Sequence, residues 1–121
     1  MAPLSIRQFS IPPSYTGGNI DNWRIGKGAT MYYPVAVEGG LLSVGDSHAS
    51  QGDSELCGTA IECSLNGTFQ IILHKKADLA GTALEALDYP MLETKDEWLV
   101  HGFSFANYLT ELGDKAQSDI Y

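Results

Sequence analysis

Turn signals recur so often in this chain that long regular elements have little room to form. Gly39-Gly40 separates "GATMYYPVAVE" from "LLSVGD", and Asn66-Gly67 separates "SELCGTAIECSL" from "FQIILHKK". The flanking runs hold the aromatic and β-branched residues that suit a pleated, half-buried surface. Short glycine-containing gaps between such runs favour tight hairpins. One hairpin is therefore expected over residues 30–46 and a second around "LNGT", with Pro34 suited to an edge or a bulge. "EWLVHGFSF" reads as a further strand, and the charged run "ETKDEW" before it as a solvated turn. Helical spacing occurs at Leu79, Ala83 and Leu87, where Gly81 works against it. It occurs again along "FANYLTELGDKA", where Ser104 can cap and Phe105, Tyr108, Leu109 and Leu112 share a face. The expected fold class is mostly β, α+β at the edges. Antiparallel strands and hairpins would form a sandwich- or barrel-like core with one or two short helices.

The first eighteen residues carry Pro3, Pro12, Pro13 and then Gly17-Gly18, which predicts an extended arm over 1–18. Residues 19–121 are expected to form a single β-rich domain. At 121 residues and 44% hydrophobic content, one core is the natural outcome. A formal net charge of −8 argues against a nucleic-acid partner and against an anionic membrane surface. No apolar run approaches the roughly 20 residues of a membrane span, and the start has no signal-like apolar stretch. Cys57 and Cys63 form no CxxC pair, which points to a reducing, cytoplasmic setting. The polar end "GDKAQSDIY" has no capping glycine, so both ends read as cuts through a longer protein.

Most of the chemistry sits in "LLSVGDSHASQGDSELCGTAIE". Asp46 and His48 stand two residues apart, and so do Asp53 and Glu55. On a strand, that spacing sends both members of a pair to one side. A tight turn between the pairs would bring them face to face. Carboxylates with one imidazole make a hard, oxygen-rich site suited to zinc, manganese or another divalent ion. Gly45 and Gly52 precede the two aspartates, where a sharp bend is expected. The same residues also suit two Asx-turns, since Asp and Ser beside Gly are common turn formers. On spacing alone both readings stand. Cys57, two residues after Glu55, offers a thiolate nucleophile, although a cysteine inside the apolar run "LCGTAI" is more often a small core residue. His74 reads as a surface residue, and His101 as either a hydrogen-bonded buried histidine or a pocket residue.

A longer match raises the site reading well above the turn reading. "GGNIDNWRIGKGATMYYPVAVEGGLLSVGDSHASQGDSELCGTAIE" resembles the acetamidase/formamidase family, whose hallmark block runs from P-V-x-V through G-D-x-H and G-D-G-E to G-T-A-I-E. "VHGFSFANYLTELGDKAQSDIY" resembles its formamidase branch. The resemblance implies hydrolysis of a short-chain amide, formamide and water giving formate and ammonia. It also implies a divalent metal, zinc foremost. Carried over position by position, it marks Asp46, His48, Gln51, Asp53, Glu55 and Glu62. Asp46 and His48 are the expected metal ligands, with Glu62 in reserve. Glu55 is the expected proton carrier beside Asp53, and Gln51 and Gly52 the substrate contacts. Ser54 stands where the family pattern has glycine, and would be strained if φ is positive there. Family members are longer, so the chain resembles a central-to-C-terminal piece that pairs with missing segments or with copies of itself. Two alternatives accompany this reading: a non-catalytic β-rich oligomerisation or binding module, and an amidase using Cys57 as nucleophile.

Overall fold

A computed structural model describes residues 13–56 and 58–102. Five short strands make two antiparallel sheets. β1 (Thr30–Tyr32), β4 (Met91–Glu93) and β5 (Trp98–Val100) form one sheet in the order β1-β4-β5. β2 (His48–Ser50) and β3 (Ile61–Glu62) form the other. Among the described residues a single 3₁₀ turn at Lys76–Asp78 is the only helical element. The architecture is mostly β. No helix of the described residues is long and apolar enough to cross a membrane.

The buried core lies on β4. Leu92 is completely buried, Met91 nearly so, and Pro90 leads into the strand fully buried. Proline is tolerated there because the first residue of a strand need not donate to the ladder. Met31 and Leu99 flank Leu92 in register on the two neighbouring strands. The turn between β4 and β5 is built by Thr94, whose N–H donates to Glu97 O at 2.9 Å. Thr94 Oγ1 in turn accepts from the backbone of Asp96 and Glu97 at 3.3 and 3.1 Å. "ETKDEW" is thus a side-chain-supported hairpin turn. At the edge of the sheet Tyr32 stacks on Trp98 with ring centroids 5.9 Å apart and donates its hydroxyl to Glu93 at 2.6 Å.

The hairpin expected over 30–46 does not form. Gly39 and Gly40 do bend the chain, with φ of 86° and 33° and a Gly40 N–H to Val37 O bond of 3.2 Å. β1, however, pairs with β4 rather than with residues 41–46. The second expected hairpin is absent as well: residues 63–75 carry no strand, and Phe69, Ile71, Ile72 and Leu73 are exposed. Residues 79–87 are not a helix but successive turns, with Thr82 bonding to Leu79, Glu85 to Thr82 and Leu87 to Leu84. The helix expected after Ser104 lies outside the described residues. Gly17 sits where only glycine fits. Its φ is 91°, and a Cβ there would collide with the Tyr33 ring.

Candidate functional site

His48 opens β2 opposite Glu62 of β3, and the register slips by one residue before Ser50 pairs with Ile61. That bulge re-aims side chains at the point where the two strands carry their polar groups. Just upstream, Asp46 takes φ of 57°, a conformation that aspartate tolerates better than most side chains. The turn lets Asp46 O receive His48 Nδ1 at 3.0 Å. A carbonyl can only accept, so Nδ1 carries a proton and Nε2 is the ring atom turned to Glu55. Nε2 stands 2.6 Å from Glu55 Oε1, with both side chains nearly buried (11% and 13% exposed). The contact is close but misaligned: neither atom has a hydrogen bond of acceptable geometry among the described residues. Two lone-pair atoms at that distance need a positive charge between them, either a shared proton or a cation.

Carboxylates surround this pair. Asp46, His48 and Glu62 each offer a ligand atom, all within 4.8 Å of one another. Burial pushes the Glu55 carboxyl above the ordinary carboxylate range. The carboxylates of Asp21, Asp46 and Glu62 push it further, against the lowering effect of His48. Asp21 reaches the site because its segment is laid against the motif turn. Asn22 bridges to Asp53 in antiparallel fashion, and Ser54 N–H donates to Asp21 O at 3.1 Å.

The remaining motif residues divide. Gln51 is half-buried in the same turn, and its Nε2 has no hydrogen-bond partner among the described residues. Gly52 is exposed. Asp53 does not join the His48 group; it is 79% exposed and accepts from Arg24 Nη1 at 2.8 Å and Trp23 Nε1 at 2.9 Å. Those bonds, Arg24 first, hold its carboxyl below the usual range. Arg24 Nε also donates to Glu97 at 2.9 Å, which ties the motif turn to the β4–β5 hairpin. The sharp bends fall at Asp46 and Ser54 (φ 57° and 67°) rather than at Gly45 and Gly52. Gly58 N–H donates to Glu55 O at 2.8 Å. Cys57 itself lies outside the described residues. His101 donates through Nδ1 to Pro90 O at 2.9 Å and accepts from Asn22 Nδ2 at 3.3 Å. It also lines a cavity of about 290 Å³ beside Leu87, Pro90 and Met91, which shares no residue with the His48 group. It is both hydrogen-bonded and at a pocket wall.

A family model described as the acetamidase/formamidase family matches residues 5–117. This chain belongs to that family. An acetamidase from Mycolicibacterium smegmatis is 51% identical over 55 residues, which are 44% of this chain and 13% of that protein. A formamidase from Methylophilus methylotrophus has the same identity over the same length and shares. A putative formamidase from Schizosaccharomyces pombe is 43% identical over 68 residues, 53% of this chain and 16% of its own length. The matched segment is thus a small part of each of these family members.

Asp21 and Arg24 are the residues that sequence reasoning missed. Both lie in "GGNIDNW", or directly after it, far upstream of the motif block. Only the bridge between Asn22 and Asp53 brings them to the site. A signal existed in the turn-prone Gly17-Gly18-Asn19 start of that stretch, followed by an acid. Asn19 and Asp21 both adopt positive φ, 52° and 53°.

Proposed function

We propose that the His48 group takes part in hydrolysis of a short-chain primary amide, with formamide as the leading candidate. The observation that carries this is the nearly buried 2.6 Å approach of His48 Nε2 to Glu55 Oε1 beside the exposed carboxylates of Asp46 and Glu62. The family and the names of its members, acetamidase and formamidase, support the same reading.

Asp46, His48 and Glu62 suit a divalent ion such as zinc: one imidazole nitrogen whose other nitrogen is held by a backbone carbonyl, plus two carboxylates. When bound there, such an ion would polarise the amide carbonyl and make water more acidic. The rest is done by the chain's own groups. Glu55, whose carboxyl faces His48 Nε2 and is raised by burial, suits proton transfer. Its Oε1 takes a proton from water as the water oxygen bonds to the carbonyl carbon. The same proton then passes to the nitrogen as the C–N bond breaks, giving formic acid and ammonia and restoring the carboxylate. Gln51 Nε2, a donor without a protein partner, suits the carbonyl oxygen, where charge develops. Asp53, held by Arg24 and Trp23, anchors the turn that presents these groups. The exposed apolar residues Val35, Val37, Leu41 and Phe69 to Leu73 support pairing with another copy or with further segments of a longer protein.

The test is ammonia release from formamide and acetamide by the protein, metal-supplemented and chelated, beside His48→Ala. Metal-dependent turnover that is lost in the variant is the expected result. Turnover equal in parent and variant would remove His48 from the chemistry.

A further inference from the structure

Ser54 holds two unfavourable states at once. Its φ is 67°, a region that non-glycine residues other than Asn and Asp rarely occupy. Its Oγ is fully buried and meets no hydrogen-bond partner among the described residues. Strain and an unsatisfied polar group persist together only where the surroundings fix them, and such residues cluster at ligand sites. Here the surroundings are plain. Ser54 N–H is held by Asp21 O at 3.1 Å, and the neighbouring Asp53 is bridged to Asn22 and bonded to Arg24 and Trp23. The backbone is pinned while the hydroxyl is buried.

The turn holds a second orphan of complementary chemistry. Gln51 Nε2 can only donate, and it too is buried without a partner. A serine hydroxyl can accept as well as donate. A primary amide presents a carbonyl acceptor for Gln51 and an NH₂ donor for Ser54, whereas a ketone of the same shape can only accept. We propose that Ser54 is a substrate-binding residue whose hydroxyl accepts from the NH₂ end of a primary amide, with Gln51 donating to its carbonyl. This deepens the amide-hydrolase reading and rests on it.

The discriminating ligands are acetamide and acetone, near-isosteres that differ by NH₂ against CH₃. Binding of each is followed by NMR through the His48 and Glu55 amide signals in the parent, Ser54→Ala and Ser54→Gly. Losing one neutral hydrogen bond should weaken acetamide about three- to tenfold in Ser54→Ala and leave acetone within about twofold. Ser54→Gly should show the same selective loss together with a higher melting temperature, because glycine occupies positive φ freely. Acetamide bound equally by parent and Ser54→Ala, or acetamide and acetone weakened alike, would overturn the role of Ser54 with the amide reading intact. A parent that binds and hydrolyses no amide would overturn the amide reading itself, and this proposal with it.

Discussion

Glu55→Gln should make the protein inactive and more stable at the same time. Its carboxyl sits 2.6 Å from His48 Nε2, nearly buried, near the carboxylates of Asp21, Asp46 and Glu62. An amide of the same shape removes the negative charge and offers an N–H to His48 Nε2. Loss of a general acid–base group costs about 10²- to 10⁴-fold in rate, about 3 to 5 kcal/mol of barrier. Stability moves the other way, and the sign follows from linkage. The folded state raises the Glu55 carboxyl, so it binds that proton more tightly than the unfolded chain does. Stability therefore falls as pH rises from the ordinary glutamate value of about 4.3 up to the raised folded value, and stays lower above it. Parent and variant should match near pH 4 and separate as pH rises, with the variant ahead. The assay is thermal melting across pH in the presence of a chelator, where each 1 kcal/mol moves the midpoint by about 4 °C. A variant less stable than the parent at neutral pH, or a gap that ignores pH, would refute the reasoning.

Leu92→Ala should destabilise by about 2–5 kcal/mol, read by urea denaturation, because this fully buried side chain is central to β4. Arg24→Met should let the Asp53 carboxyl return towards its ordinary range in an NMR titration. In the parent, the stability that Asp53 contributes is present above the ordinary aspartate value and lost as pH falls through its depressed folded value; the variant should lack that acid-side loss. Zinc uptake followed by calorimetry should disappear in His48→Ala and weaken in Glu62→Gln, while Asp53→Asn should leave it unchanged, since Asp53 stands outside the group.

The sequence made the class of structure legible, and also where histidine and carboxylates would gather. Frequent Gly and Asn turn signals exclude long helices, and the described residues are accordingly β strands and turns. Thr94 to Glu97 form a turn because a hydroxyl next to backbone donors stabilises one locally. The gathering of Asp46, His48 and Glu55 within one short segment was equally visible, because the residues that bring them together are their own neighbours.

Other features depended on partners distant in sequence. "PMLE" is short and begins with proline, so nothing local marks it as the central strand. It becomes one because β1 and β5 pair on its two sides and bury Leu92. "LLSVGD" and "FQIILH" have strand composition yet find no ladder among the described residues, since composition gives a tendency while a strand needs a second backbone to bond. Asp21 enters the site and Asp53 leaves it through one bridge, Asn22 to Asp53, that no local pattern encodes. The sequence alone determined which chemical groups this protein has and where its chain turns. Tertiary structure decided which of those groups share a site, because pairing energies between distant backbones, and not local propensity, choose the neighbours.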